Sequence, residues 1–373
     1  MKAEIDKDMR VITTAISGSG EKGYLDRFSK FAETKGKKVK IYNPGEMLFE
    51  HAARRGVRMP RDKVLKTNPH TLDERRSTVF ERILSDVEKP ANRGSSFIIN
   101  MHGSFYWNFS YEPGIDFHYL NEFDPDLYVN FLNDVDTVEN NLKDRKQWNF
   151  LFSPERTKNY GRNKILDWQS VEVLLTRLLA QRDPKRWAQS DPQKFFVIPT
   201  KATETMLYRF MFEPWRKVFY VGMPLTLFHD PKFAGARKRI DELIKWTEYW
   251  ITVTDPRYVE PLDTKLLTQV DPAMYHSVVK RDLYWLIPQC DGMIAYFPDA
   301  SEAPYSAGED IEFKEVSDTC GETLLIYPSG KSLSPFLFVW GDKILRSDKQ
   351  FKREFLSYLG KKYVNRVRQL YKK

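Results

Sequence analysis

The chain has 373 residues, which is more than one ordinary hydrophobic core requires and favours two domains. Its composition, 41% apolar and 29% charged with 18 Gly and 21 Pro, excludes disordered, collagen-like and low-complexity proteins. The two cysteines, Cys290 and Cys320, are too few for a disulfide framework or a cysteine-based zinc site, and no metal site is predicted.

The net charge of +8 arises from 59 basic and 51 acidic residues, so it is a small surplus on a mixed surface. Such a surplus suits phosphorylated small molecules and leaves nucleic acid open as a partner. No apolar run reaches the ~20 residues of a membrane span. Charges also interrupt the first residues, where a signal peptide would need an apolar stretch. We therefore expect a cytoplasmic protein without a membrane segment.

Short β-rich runs alternate with longer amphipathic segments, a pattern typical of α/β layers. Strands are predicted at 11–16, 38–42, 96–101, 126–132, 195–199, 218–221, 250–254, 292–297 and 323–327. Helices are predicted at 24–34, 72–87, 135–145, 168–181, 234–250, 274–287 and 349–371. The alternation starts afresh after the segment 212–217. The sequence thus predicts two α/β domains with parallel sheets, at 1–212 and 213–373.

A glycine-rich turn separates the first predicted strand from the first predicted helix. Backbone N–H groups of such a turn, together with the helix N-terminus, form a cradle for phosphate. The candidate nucleotide-binding residues here are Gly18, Gly20, Lys22 and Gly23. The usual phosphate loop reads Gly, four residues, then Gly-Lys-Ser/Thr. In this chain Glu21 stands between Gly20 and Lys22, and Gly23 replaces the hydroxyl residue that would ligate magnesium.

This turn and the order of the later elements resemble the P-loop nucleoside and nucleotide kinases of the adenylate-kinase type, over residues 10–210. The resemblance implies a nucleotide-binding domain with ATP and Mg as its cofactors. The altered turn predicts weak phosphoryl transfer, so the domain is interpreted either as a kinase or as a regulatory nucleotide-binding domain.

The second half carries a pattern of acidic and small residues around its third predicted strand. Asp291 precedes that strand, and a loop follows it. The spacing Ser306, one residue, Gly308, three residues, Glu312 then leads into a helix. The opening strand of this half reads Phe219-Tyr-Val-Gly-Met-Pro224.

These motifs resemble those of the nucleoside 2-deoxyribosyltransferase family and the related 2'-deoxynucleoside 5'-monophosphate N-glycosidases, over residues 217–330. The resemblance implies a Rossmann-like sheet and a homo-oligomer that completes its sites across a subunit interface. The family usually has Tyr three residues before the strand's Gly, where this chain has Phe219 followed by Tyr220. Phe219, Tyr220 and Gly222 are therefore predicted to contact the substrate.

Cleavage of an N-glycosidic bond develops positive charge on the sugar, which a carboxylate can stabilise or trap without any cofactor. The resemblance assigns Glu312 as this nucleophile. Asp291 or Asp299 is the predicted acid that helps the base to leave. Gly308 allows a close approach to the sugar, and Ser306 favours a 5'-phosphate.

The first hypothesis is therefore an enzyme that cleaves or exchanges the base of a (deoxy)nucleoside or its 5'-monophosphate. The alternative is a nucleotide sensor or assembly module in which both sites are degenerate.

Overall fold

The computed structural model describes residues 8–157, 159–181, 195–225, 231–259, 272–297, 306–319, 321–328 and 333–371. The chain forms two compact units, Met1–Glu213 and Pro214–Lys373, here called unit 1 and unit 2. Each unit is built on a five-stranded parallel sheet flanked by helices. The predicted fold class, two α/β domains, is confirmed.

Unit 1 contains the strands β1 (Arg10–Thr14), β2 (Lys38–Tyr42), β3 (Ser95–Met101), β4 (Ser104–Trp107), β5 (Ser110–Pro113), β6 (Leu127–Leu132) and β7 (Phe195–Pro199). Its helices are α1 (Glu21–Thr34), α2 (Pro44–Arg54), α3 (Pro69–Val87), α4 (Phe117–Phe123), α5 (Val135–Lys143), α6 (Tyr160–Gln181) and α7 (Thr205–Phe212). The parallel sheet has the order β2-β3-β1-β6-β7, and β4 and β5 form a separate antiparallel hairpin.

Strand β1 lies in the middle of this sheet because its residues can be buried on both faces. Val11 and Ile12 are fully buried, as is usual for central parallel strands covered by helices on both sides. The chain leaves β1 toward β2 and leaves β6 toward β7, so the connections diverge between β1 and β6. Open α/β sheets bind ligands at such a divergence, outside the carboxyl ends of the strands.

Unit 2 contains the strands β8 (Val218–Gly222), β9 (Thr252–Thr254), β10 (Gly292–Tyr296), β11 (Glu322–Ile326) and β12 (Lys343–Leu345), in the order β12-β11-β10-β8-β9. Its helices are α8 (Ala234–Trp250), α9 (Pro272–Arg281), α10 (Ala307–Asp318), α11 (Pro335–Trp340) and α12 (Asp348–Leu370). Helix α9 continues as a π-helical segment, Asp282–Leu286, and a 3₁₀ turn, Ile287–Gln289.

The connections of unit 2 diverge between β8, which leads toward β9, and β10, which leads toward β11. The carboxyl ends of these two strands are therefore where this sheet is expected to bind a ligand. One face of the sheet packs on α8 and α12, where Ile240, Phe351 and Phe355 belong to a large apolar core. Within the described part of the chain, no helix is both long enough and apolar enough to cross a membrane.

Candidate functional sites

The glycine turn of unit 1 follows β1 and ends where α1 begins at Glu21. Gly18 and Gly20 have positive φ angles of 88° and 82°, which L side chains adopt only with strain. A Cβ at Gly18 would also come within 3.1 Å of the Leu142 side chain. Two left-handed glycines therefore shape the turn, which packs against α5 at the divergence of the sheet.

Polar side chains from the ends of β3 and β6 and from α5 fix the backbone of this turn. His102 Nδ1 donates to the Ala15 carbonyl at 2.5 Å, Asn141 Nδ2 to the Gly18 carbonyl at 2.8 Å, and Asn133 Nδ2 to the Ser19 carbonyl at 2.8 Å. All three side chains bind carbonyl oxygens of the turn. We conclude that His102, Asn133 and Asn141 hold the loop in its conformation.

The Lys22 side chain is paired with a carboxylate of α2. Its ammonium group lies 2.7 Å from Glu46 Oε1 on α2, and both side chains are exposed. The hydrogen bond to Glu46 raises the pKa of Lys22, and the charge of Glu46 adds to that effect. Lys22 lines an open groove of about 530 Å³ between α1 and β2.

The residues around the turn do not fit the usual magnesium site of a phosphate loop. Gly23 lacks the hydroxyl ligand. Asp134, at the end of β6, is already bound by Lys201 at 2.7 Å and by Thr137 as the cap of α5. Among the residues that the structure describes, no cluster of three or more His, Cys, Asp or Glu side chains could hold a metal ion.

A buried carboxyl group that the sequence did not single out lies next to the end of β3. Glu172 on α6 accepts hydrogen bonds from the Gly103 amide at 2.5 Å and from Ser104 Oγ at 2.6 Å. Burial raises the pKa of Glu172 to about 8, despite these two hydrogen bonds. The charge of Glu21, at the start of α1, raises it further.

In unit 2, Tyr220 and Glu312 meet at the carboxyl end of the sheet. The Tyr220 hydroxyl donates to Glu312 Oε1 at 2.9 Å, and Tyr220 is fully buried. Gly222 ends the strand that carries Tyr220. A Cβ there would lie 3.7 Å from Glu312 Oε2 and only 2.0 Å from Met293 Cε, so glycine allows the close approach. The structure thus brings together three predicted site residues, Glu312, Tyr220 and Gly222.

A buried ion pair adjoins Glu312. Arg281 Nε lies 3.1 Å from Asp282 Oδ1, and Asp282 begins the π-helical segment after α9. Burial, together with the charge of Asp282, raises the pKa of Glu312 to about 8. The Tyr220 hydrogen bond and the charge of Arg281 oppose that rise. Single π turns within helices occur frequently at functional sites.

The structure does not place the predicted acid Asp291 near Glu312. Its Oδ2 accepts from the Val218 amide at 2.7 Å, and its own amide donates to the Val218 carbonyl at 2.7 Å. Val218 and Gly222 begin and end β8, so they lie roughly 13 Å apart at about 3.3 Å per residue. Asp291 therefore lies at the amino edge of the sheet, where it joins the starts of β8 and β10. The other predicted acid, Asp299, lies outside the described residues.

The remaining predicted residues lie as follows. Phe219 faces the opposite side of the sheet from Tyr220 and packs in the apolar core, with its ring centroid 5.9 Å from that of Phe355. Ser306 caps α10, and its Oγ accepts from the Glu309 amide at 3.3 Å. Gly308 has open space around it, since a Cβ there would meet only Ser306 Oγ, at 4.0 Å.

The folds and these two clusters define the molecule as a two-unit α/β protein, with a glycine-rich turn in unit 1 and a buried carboxylate cluster in unit 2. No known protein family profile matches the chain. It is 28% identical over 133 residues to an adenylate kinase from Methanococcus vannielii, an alignment covering 35% of this chain and 66% of that enzyme. The chain thus spans slightly less than two thirds of that relative.

Two solved structures are more distant. A shikimate kinase from Acinetobacter baumannii in complex with shikimate has a TM-score of 0.34 and 11% identity, covering 55% of this chain and 94% of that one. A sugar kinase from Janibacter sp. HTCC2649 has a TM-score of 0.27 and 12% identity, with coverages of 54% and 90%. The N-terminal resemblance to P-loop kinases is supported, whereas none of these three relatives is a deoxyribosyltransferase or a glycosidase.

Proposed function

We propose that unit 2 cleaves or exchanges the N-glycosidic bond of a (deoxy)nucleoside or its 5'-monophosphate, with Glu312 as the nucleophile. The observation that carries this proposal is the hydrogen bond between Tyr220 and Glu312 at the divergence of the sheet. A carboxylate placed there is beside the expected ligand position. The hydrogen bond occupies Oε1 and leaves Oε2, which faces Gly222, available for chemistry.

The reaction follows from the chemistry of the bond. As the C1'–N bond breaks, its electron pair leaves with the base and positive charge develops on the sugar. Glu312 Oε2 then bonds to C1', and Tyr220 holds the carboxylate in place. Water or a second base attacks C1' in the following step and restores Glu312. Ser306 and the amides at the start of α10 would bind a 5'-phosphate.

The direct test is incubation of the purified chain with nucleosides and their 5'-monophosphates, with free base measured by mass spectrometry. Release of a base identifies the substrate. A second acceptor base in the same mixture separates transfer from hydrolysis. If no nucleoside or monophosphate loses its base, the glycosidase proposal is wrong and the nucleotide-sensor alternative takes its place.

The rate of base release is expected to rise with pH between about 6 and 8. The pKa of Glu312 is raised to about 8, and only the ionised carboxylate is nucleophilic. Below that pKa the ionised fraction falls about tenfold per pH unit. Steady-state kcat/KM from pH 5.5 to 9 measures this effect. A flat profile over that range would contradict Glu312 as the group whose ionisation limits the rate.

We further propose that unit 1 binds a nucleoside phosphate at the glycine turn, without efficient phosphoryl transfer. The left-handed Gly18 and Gly20 at the divergence of the sheet, together with the similarity to an adenylate kinase, support binding. The pairing of Lys22 with Glu46 and the missing hydroxyl at Gly23 count against transfer. ATP and Mg remain the ligands to test first.

Lys22→Ala is expected to change the Kd for ATP by less than about threefold, because an exposed ion pair with Glu46 contributes little. Because Gly23 lacks the hydroxyl ligand and Asp134 is already bound by Lys201, omission of Mg should leave the Kd for ATP within a similar factor. Isothermal titration calorimetry with and without Mg measures both effects, with Lys30→Ala on the same helix as the control. A tenfold loss in Lys22→Ala alone would mean that the side chain turns to the phosphate when nucleotide binds.

A further inference from the structure

Glu309 is a buried carboxyl group beside Glu312 that neither the motif nor the proposed reaction uses. It lies in the first turn of α10 and is 2% exposed. Among the described residues, neither of its carboxyl oxygens has a partner of normal hydrogen-bond geometry. An unsatisfied buried polar group is costly and calls for a specific explanation.

The geometry places Glu309 in the same site as Glu312. A Cβ built on Gly222 would lie 3.5 Å from Glu309 Cγ and 3.7 Å from Glu312 Oε2, so both side chains converge on the end of β8. Residues three apart on a helix have Cβ atoms about 5–6 Å apart. The two carboxyl groups of retaining glycosidases are separated by a similar distance, about 5–5.5 Å.

The surroundings favour a proton on Glu309. Burial and the charge of Glu312 raise its pKa well above the usual value, while the Tyr296 backbone has a smaller opposite effect. Other charged groups nearby include Asp310, next to Glu309 on α10, and the Arg281–Asp282 pair on the helix packed against α10. Closely spaced carboxyl groups do not all ionise together, so one of them retains its proton.

We propose that Glu309 is the acid of the unit 2 site and gives its proton to the departing base. This inference rests on the proposed glycosidic reaction. As the C1'–N bond breaks, the proton moves from a Glu309 oxygen to the base, which leaves neutral, and Glu309 becomes a carboxylate. Glu312 forms the bond to C1'. When water or an acceptor base attacks C1', the proton that it releases returns to Glu309, and Glu312 leaves C1' as a carboxylate.

The reaction needs an acid near Glu312, at the carboxyl edge of the sheet. Glu309 meets this requirement, whereas Asp291 lies at the opposite edge. Helix α10 follows β10 and begins at the carboxyl edge, so its first turn lies where the ligand is expected.

The test compares leaving groups in Glu309→Gln. Ordinary nucleotides need a proton on the base, whereas an N7-methylated purine or N3-methylated cytosine nucleotide already carries a cationic base and leaves without one. We expect Glu309→Gln to lose about 100-fold or more with the ordinary substrate and less than about fivefold with the methylated one. Circular dichroism and thermal unfolding confirm that the variant is folded.

The outcomes are separable. Equal losses with both substrates mean that Glu309 has a structural role, and no loss with either means that it is not the acid; each overturns the inference. The inference is also overturned if Asp299→Asn, and not Glu309→Gln, loses rate with the ordinary substrate while keeping it with the methylated one. If Glu312→Gln keeps wild-type rates with both substrates, the proposed reaction itself fails. Infrared difference spectra at pH 7 give a second readout, since the variant should lack one protonated carboxyl band that wild type shows.

Discussion

Replacing Glu312 with glutamine should lower the rate of base release by about 10³-fold or more, because the variant lacks the atom that bonds to C1'. Glutamine has nearly the size of glutamate, and its carbonyl oxygen can still accept the hydrogen bond from Tyr220. The apolar packing of α10 should therefore be unchanged. Single-turnover release of free base, followed by mass spectrometry, measures the chemical step without interference from product release.

Glu315→Gln is the matched control, since it makes the same chemical change one turn further along α10. Glu315 is half-buried and takes no part in the carboxylate cluster, so we expect wild-type rates. Tyr220→Phe should have an intermediate effect, about 10-fold, because it removes one hydrogen bond from Glu312 and leaves the nucleophile present. If Glu312→Gln stays within tenfold of wild type on the true substrate, Glu312 is not the nucleophile.

Much of the fold could be predicted from periodicity. The bounds predicted for β2, β7 and α8 agree with the structure to the residue, because each has the period of its element and clear polar flanks. The β4–β5 hairpin was missed. Its turn residues, Asn108 and Phe109, both have positive φ without any glycine, so the usual hairpin signal is absent.

The site was predicted less completely, for reasons that concern strand direction and burial. Phe219 and Tyr220 are neighbours on one strand and necessarily face opposite sides, but only the packing decides which side holds the ligand. Asp291 precedes a parallel strand, and strand direction alone places such a residue at the amino edge. Glu309 and Asp282 are charged residues that a sequence pattern assigns to solvent, whereas both are buried here.

A second large effect is expected in unit 1, where Glu172→Gln should flatten the dependence of that unit's stability on pH between about 5 and 8. Glu172 is 1% exposed, and its pKa is raised from 4.5 to about 8. Between these values the unfolded chain releases the proton and the folded chain keeps it. Wild-type stability contributed by this group is therefore present below pH 4.5 and is lost as the pH rises toward 8. The slope is at most about 1.4 kcal/mol per pH unit, with an upper bound of roughly 4–5 kcal/mol in total.

The glutamine side chain preserves the local structure while removing the titration. Its oxygen can accept from the Gly103 amide and its amide can donate to Ser104 Oγ, so both hydrogen bonds of Glu172 have a replacement. Denaturant midpoints at pH 5, 6, 7 and 8 measure the effect, and hydrogen exchange in β3 and α6 assigns the transition to unit 1. The exposed Glu155→Gln should follow the wild-type curve.

The outcome also bears on the glycine turn, because the charge of Glu172 interacts with Glu21 at the start of α1. A neutral Glu172 adds no negative charge next to the helix start where a phosphate is proposed to bind. A variant whose unit 1 stability has a smaller slope than wild type above pH 5 supports this neutral state. If the curves of Glu172→Gln and wild type stay parallel, Glu172 is ionised in the folded chain, with its charge stabilised by Gly103 and Ser104. In that case a fixed carboxylate lies beside the loop, and phosphate binding at the turn should be weak.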